Sequence, residues 1–243
     1  MTTWFISGAS SGIGAELARQ LARRGDDVAV AARRRDRLEE LAEELADATG
    51  TVTVHEVDVT DHDALEAAMQ AADQAHGGLG VVVANAGVGR GSVLGSGGQA
   101  ANEAVVATNI VGVVSTVEVA LALMQPRGAG RIVLVSSVTG VRGLPGTAAV
   151  YSASKAAVTS LGESLAVQLR GTGVGVTTIF PGYVDTEMTE RVPDRVKAGA
   201  PEAVAQLIEA VDRGRTSAYV PRWWRPVAVV LRVVPDGLVA RFT

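Results

Sequence analysis

Ser7-Gly8-Ala9-Ser10-Ser11-Gly12-Ile13-Gly14 follows the β-prone run Thr3–Ser7 and leads into the amphipathic stretch Ile13–Arg24. Glycines between a strand and a helix permit a tight turn. They also let an anionic group reach backbone N–H groups at the helix N-terminus, where the helix dipole favours negative charge. The spacing here is G-x-x-x-G-x-G. In this place it marks a nucleotide site, to which Gly8, Ser10, Ser11, Gly12, Ile13 and Gly14 contribute.

Outward from this loop, short apolar runs alternate with longer Ala/Leu/Glu-rich ones. Strands are predicted at Thr3–Ser7, Val28–Ala32, Val52–Val57, Val81–Ala84, Arg131–Ser136, Val174–Phe180 and Ala218–Val220. Helices are predicted at Ile13–Arg24, Arg35–Ala48, Asp61–Ala75, Gln99–Met124, Ala149–Arg170 and Pro201–Arg213. Nearly all-apolar strands separated by helices indicate a parallel sheet covered on both faces. Right-handed crossovers then give a doubly wound α/β (Rossmann) fold. No linker or repeat divides the chain, so residues 1–220 read as one nucleotide-binding catalytic domain. Val88–Gly98 is a Gly/Ser-rich loop, and 221–243 is an apolar tail carrying Trp223 and Trp224. Three uses fit that tail: packing on its own core or another subunit, lidding a substrate pocket, or touching a membrane surface through Trp and Arg side chains.

The chain has 243 residues, a formal net charge of -4 and no cysteine. That balance argues against nucleic acid as a partner. The missing thiols exclude disulfides, thiolate nucleophiles and Cys-ligated zinc, and His55, His62 and His76 fall in no ligand spacing, so no metal is expected. No basic n-region with an apolar stretch opens the sequence, and the apolar runs look shorter than the roughly 20 residues a membrane span needs. A cytoplasmic protein is the expectation.

Past the second strand stands Arg33-Arg34-Arg35, where an NAD site would commonly place an acid for the ribose 2′-hydroxyl. Arg33 at that position favours NADP(H) over NAD(H), because a guanidinium pairs with a 2′-phosphate. Farther on lies Tyr151-Ser152-Ala153-Ser154-Lys155, preceded by Ser136-Ser137. On a helix Tyr151 and Lys155 share a face. A cation beside a phenol favours the phenolate, which would bring the Tyr pKa down toward neutrality and fit it for proton transfer.

Glycine loop plus Tyr-x-x-x-Lys resembles the short-chain dehydrogenase/reductase family, in its single-domain branch. Other pieces follow in order along nearly the whole chain. Asp58-Val59 matches the family's adenine-contacting segment, and Ala84-Asn85-Ala86-Gly87 resembles its N-N-A-G motif. Asn109, Ser137 and Pro181-Gly182-Tyr183-Val184-Asp185-Thr186 match further positions. The Ser137–Tyr151 spacing is one residue longer than usual, which leaves Ser136 as an alternative to Ser137.

The resemblance implies oxidoreduction between a carbonyl and an alcohol on a small molecule. Tyr151 would be the general acid or base, and Lys155 would lower its pKa and bind the nicotinamide ribose. Ser137 would hold the substrate oxygen, and Asn109 a water relaying protons to Lys155. Gly8, Ser10–Gly14, Arg33, Asp58, Val59, Asn85–Gly87, Pro181, Gly182, Val184 and Thr186 would line the cofactor, Thr186 at the carboxamide. The apolar Asn102–Met124 helix would pair with its copy in a homodimer or homotetramer. A catalytically silent NADP(H)-binding relative is the alternative.

Overall fold

The computed structural model describes residues 2–234; residues 235–243 of the tail lie outside them. Seven strands form one sheet, ordered β3-β2-β1-β4-β5-β6-β7 and parallel throughout. They are β1 (Thr3–Ser7), β2 (Asp27–Ala32), β3 (Val52–Glu56), β4 (Val81–Ala84), β5 (Gly130–Val135), β6 (Val174–Pro181) and β7 (Ser217–Val220). The connecting helices are α1 (Gly12–Arg24), α2 (Arg35–Glu44), α3 (His62–Ala75), α4 (Gln99–Val106), α5 (Gly112–Met124), α6 (Ala149–Gln168) and α7 (Ala200–Asp212). An eighth, α8 (Trp224–Val233), follows the last strand.

Alternate residues of each strand point to opposite faces, so the sheet separates two cores. On one face Trp4, Ile6, Val28 and Val30 pack with α1, α2 and α7 through Leu17, Leu38 and Leu207. On the other, Phe5, Ala29 and Ala31 pack with α3, α5 and α6 through Met69, Val117 and Val158. The strand order reverses between β1 and β4, and a crevice opens there beyond the carboxyl ends of the strands.

The long helix expected at Gln99–Met124 is in three parts. A π-helical turn, Ala107–Val111, separates α4 from α5. The continuous helical stretch Gln99–Arg127 is long and apolar enough, by length and composition, to cross a membrane, which corrects the sequence expectation of shorter apolar runs. Here it packs against α3, α6 and β4, and burial is confined to one side. Val106, Val111 and Val114 stay exposed within the single chain.

Helix α6 lies close on the sheet because position 162 has no side chain. A Cβ built on Gly162 would sit 2.1 Å from Thr178 Oγ1 and 3.3 Å from Leu134 Cδ1. Gly162→Ala is therefore expected to lower stability by about 1–3 kcal/mol through overpacking, read as a reduced urea midpoint. Because α6 carries Tyr151 and Lys155, turnover should fall with it.

Candidate active site

The crevice has a volume of about 450 Å³ and is lined from every loop at the carboxyl edge of β1 to β6. Its floor is the glycine loop. Gly8 has φ +69°, and a Cβ there would lie 2.6 Å from Ala86 Cα; a Cβ on Gly14 would lie 2.5 Å from the Gly8 carbonyl oxygen. Only glycine fits these approaches. Asn85 holds the loop down, its Nδ2 donating to the carbonyls of Ser7 (2.9 Å) and Gly8 (3.1 Å). The Ser7 hydroxyl bridges the same seam, donating to the Val83 carbonyl and accepting from the Asn85 and Ala86 N–H groups. Asn85 thus acts on the loop's shape, and Ser7 is a residue the sequence reading did not assign.

Helix α1 begins with no acidic residue in its first turn and no side-chain cap. Its N-terminus faces the crevice beside Ser10, Ser11, Gly12 and Ile13, an arrangement suited to an anionic diphosphate. Thr186 crosses Gly12, and its hydroxyl donates to the Val184 carbonyl at 3.3 Å.

At the outer end, Arg33 faces Asp58 at 3.5 Å. Burial pushes the Asp58 carboxyl up, but hydrogen bonds from Thr60 and the charge of Arg33 outweigh it and leave its pKa lowered. The neighbour, Arg34, spans the glycine loop: its Nη2 donates to Ser11 Oγ (2.9 Å) and to Ser10 Oγ (3.1 Å). The sequence reading chose Arg33 alone. The triple arginine was the available signal, and the turn into α2 brings both Arg33 and Arg34 to the crevice. The loop glycines and the helix N-terminus fit a dinucleotide, with these two cations at its outer end.

At the inner end lie Ser137, Tyr151, Lys155 and Tyr183. Ser136 also borders the crevice, but it is buried and its hydroxyl is spent on the Lys155 carbonyl under α6. Ser137 instead caps the 3-10 turn Val138–Val141, its hydroxyl oxygen accepting from Thr139, and it lies near enough to the Tyr151 phenol to act on its pKa. Burial raises the Tyr151 pKa, the Ser137 hydrogen bond opposes that, and the nearby Tyr183 adds to the rise. The expectation of a lowered value is therefore corrected. Lys155 gives its ammonium to the Val135 carbonyl (2.8 Å) and sits 5.8 Å from the Tyr151 ring centroid. Burial alone lowers Lys155 to about 8.

Asn109 is fully buried within the π-helical turn, where wider backbone spacing is commonly tied to function. Its Oδ1 accepts from Val88 N–H (2.7 Å), and its Nδ2 donates to the Val88 carbonyl and to Ser154 Oγ. That side chain fastens the loop after β4. Gly87 lies between it and the lysine, a Cβ there meeting Asn109 Oδ1 at 3.3 Å and Lys155 Nζ at 3.6 Å.

The wall facing Tyr151 comes from the segment after β6. Val184 bridges to Ala198, and the Ala198 N–H donates to the Tyr183 carbonyl (2.8 Å). Tyr183 meets Trp224 edge-on at 5.5 Å, and Trp224 is itself buried against Gly182. The start of α8 thus backs this wall, a contact with no local sequence signal. Val88, Val138, Leu144, Met188 and Val192 complete an apolar lining, and Arg90 adds a cation that the sequence reading had not counted.

The family model described as short chain dehydrogenase matches residues 2–197. An uncharacterized oxidoreductase of Mycobacterium tuberculosis is 42% identical over 98% of this chain and 95% of its own length. A 3-oxoacyl-(acyl-carrier-protein) reductase of Thermotoga maritima is 32% identical over 84% of this chain and 87% of its own. Among solved structures, a short chain dehydrogenase of Burkholderia cenocepacia in complex with NADP superimposes with a TM-score of 0.84 at 27% identity, covering 99% of this chain and 96% of that one. A short chain dehydrogenase/reductase of Burkholderia phymatum in complex with NAD gives 0.83 at 26%, covering 94% and 92%.

A lysine pKa lowered to about 8 has a sign for stability. Between about pH 8 and 10.5 the unfolded chain holds the Lys155 proton and the folded one does not, so folding gains as pH rises through that window. Tyr151, with its raised pKa, acts oppositely only above about pH 10. Urea unfolding from pH 7 to 10 should show wild type gaining on the order of 2–3 kcal/mol relative to Lys155→Met. A difference independent of pH would mean that the buried amine is not depressed.

Proposed function

The chain belongs to the short-chain dehydrogenase family of oxidoreductases, and on that premise we propose that it interconverts a carbonyl and an alcohol with NADP(H). One observation carries the reading. A single crevice has a phenol, a serine hydroxyl and a buried ammonium at its inner end, and a helix N-terminus with two arginines at its outer end. NADP(H) would supply or accept the hydride. The glycine loop would hold its diphosphate, Arg33 and Arg34 its 2′-phosphate, and Val184 and Thr186 its carboxamide end.

The chain's own residues perform the rest. Ser137 orients the substrate oxygen beside the Tyr151 phenol. Tyr151 gives that oxygen a proton in reduction and takes one in oxidation. With its pKa raised by burial, the phenol is held protonated, the form that reduction needs. Lys155 supplies a buried charge behind it, which offsets phenolate formation as the proton leaves. The apolar lining excludes water and favours a neutral, moderately hydrophobic ketone, aldehyde or secondary alcohol. The silent-relative alternative leaves the Ser137–Tyr151 contact and the buried lysine without a use.

Pairing of two copies through α4 and α5 is supported by the exposed Val106 and Val111 beside Val93 and Leu94, with Val114 exposed farther along the same helical stretch. Sedimentation tests it, since Val114→Asp should run as a smaller species than wild type.

The central test is a spectrophotometric screen of carbonyl and alcohol panels with NADPH and NADH. Tyr151→Phe should lose about 10²–10⁴-fold in turnover while NADPH binding persists. Equal turnover by Tyr151→Phe would remove the acid–base assignment, and preferential use of NADH would remove the 2′-phosphate assignment.

A further inference from the structure

Resting on the NADP(H) reading above, we propose that Glu187 sets cofactor specificity by holding the edge of Arg34 that a 2′-phosphate would take. The guanidinium of Arg34 is a planar fork with two usable edges. One edge is spent on the glycine loop, through Ser10 and Ser11. The other, at Nη1, faces Glu187 Oε2 at 3.4 Å. Glu187 Oε1 lies 4.0 Å from Nη1 of Arg37, one turn along α2.

The carboxylate is delivered there by local structure. Glu187 opens the 3-10 turn Glu187–Thr189, which Thr186 and Thr189 close as a reciprocal capping box. The next residue, Met188, rests on Gly89 across the crevice, where an added Cβ would lie 2.5 Å from Met188 Cγ. Residues 187 and 188 therefore form a strap from the start of α2 to the loop after β4, over the mouth of the cofactor groove.

A strap of this kind discriminates by charge. A 2′-phosphate brings close to two negative charges and three acceptor oxygens, enough to displace one half-exposed carboxylate. A 2′-hydroxyl brings no charge and leaves the Glu187–Arg34 pair in place. Glu187 thus taxes NADP(H) and is neutral toward NAD(H). An ion pair this exposed shifts an equilibrium constant by about twofold to fivefold.

Calorimetric titration of NADPH, NADH and adenosine 2′,5′-bisphosphate into wild type, Glu187→Gln, Arg34→Gln and the double variant tests the proposal. Glu187→Gln should bind NADPH and the bisphosphate about twofold to fivefold more tightly at low salt, with NADH unchanged. On the Arg34→Gln background that gain should vanish. Matching urea midpoints of wild type and Glu187→Gln establish that folding is not the cause. No gain for NADPH, or an equal gain for NADH, would overturn the proposal, the latter pointing to simple opening of the strap. The cofactor reading is judged separately, from the wild-type NADPH-to-NADH ratio. A wild type that prefers NADH, with Glu187→Gln still gaining for the bisphosphate, would remove that reading and leave the role of Glu187 standing.

Discussion

Everything in the crevice depends on how closely the ends of β1 and β4 approach. At that seam the strand order reverses, and the backbone of Gly8 comes against Ala86 with no room for a Cβ. A contact so tight would strand the Ser7 and Gly8 carbonyls in a low-dielectric gap. The Asn85 amide satisfies these carbonyls instead, and the Ser7 hydroxyl accepts from the Asn85 and Ala86 N–H groups across the same gap. The cradle for the diphosphate and the loop carrying Gly87 and Val88 are consequently two sides of one hydrogen-bonded unit.

A second close approach places the acid–base groups. Gly162 lets α6 settle on β6, and from there Lys155 reaches back to the Val135 carbonyl at the end of β5. The lysine is thus referenced to the sheet rather than to a mobile loop. Asn109 does the same for the loop after β4 from the opposite side, through the π-helical turn. Tyr151 stands between these two anchors, in an environment that favours its neutral form.

Much of this was legible in the sequence where the signal is local. Strand periodicity, the glycine spacing and the four-residue interval from Tyr151 to Lys155 each follow from short-range geometry, and the structure brings those residues together. What was not legible depends on distant parts of the chain. The share of Arg34 beside Arg33 depends on the path from β2 into α2. Its partner Glu187 comes from a turn far along the sequence, and Trp224 meets Gly182 only because α8 folds back over the segment after β6. The direction of the Tyr151 pKa was misjudged for a related reason. A pentapeptide displays the neighbouring cation but not the surrounding burial, which here raises the Tyr151 pKa.

The chain's two lysines have a practical consequence for bench chemistry. Lys155 lies inside the crevice, and Lys197 is ion-paired to Asp185 and Asp194 in the segment that forms its wall. Apart from the α-amino group, the primary amines of the protein are therefore Lys155 in the crevice and the ion-paired Lys197 in the segment after β6. An amine-reactive dye or cross-linker, harmless decoration on a lysine-rich enzyme, would here meet so few amines that its reaction at Lys155 could be read individually. Protection of Lys155 from such a reagent would then give a direct footprint of crevice occupancy.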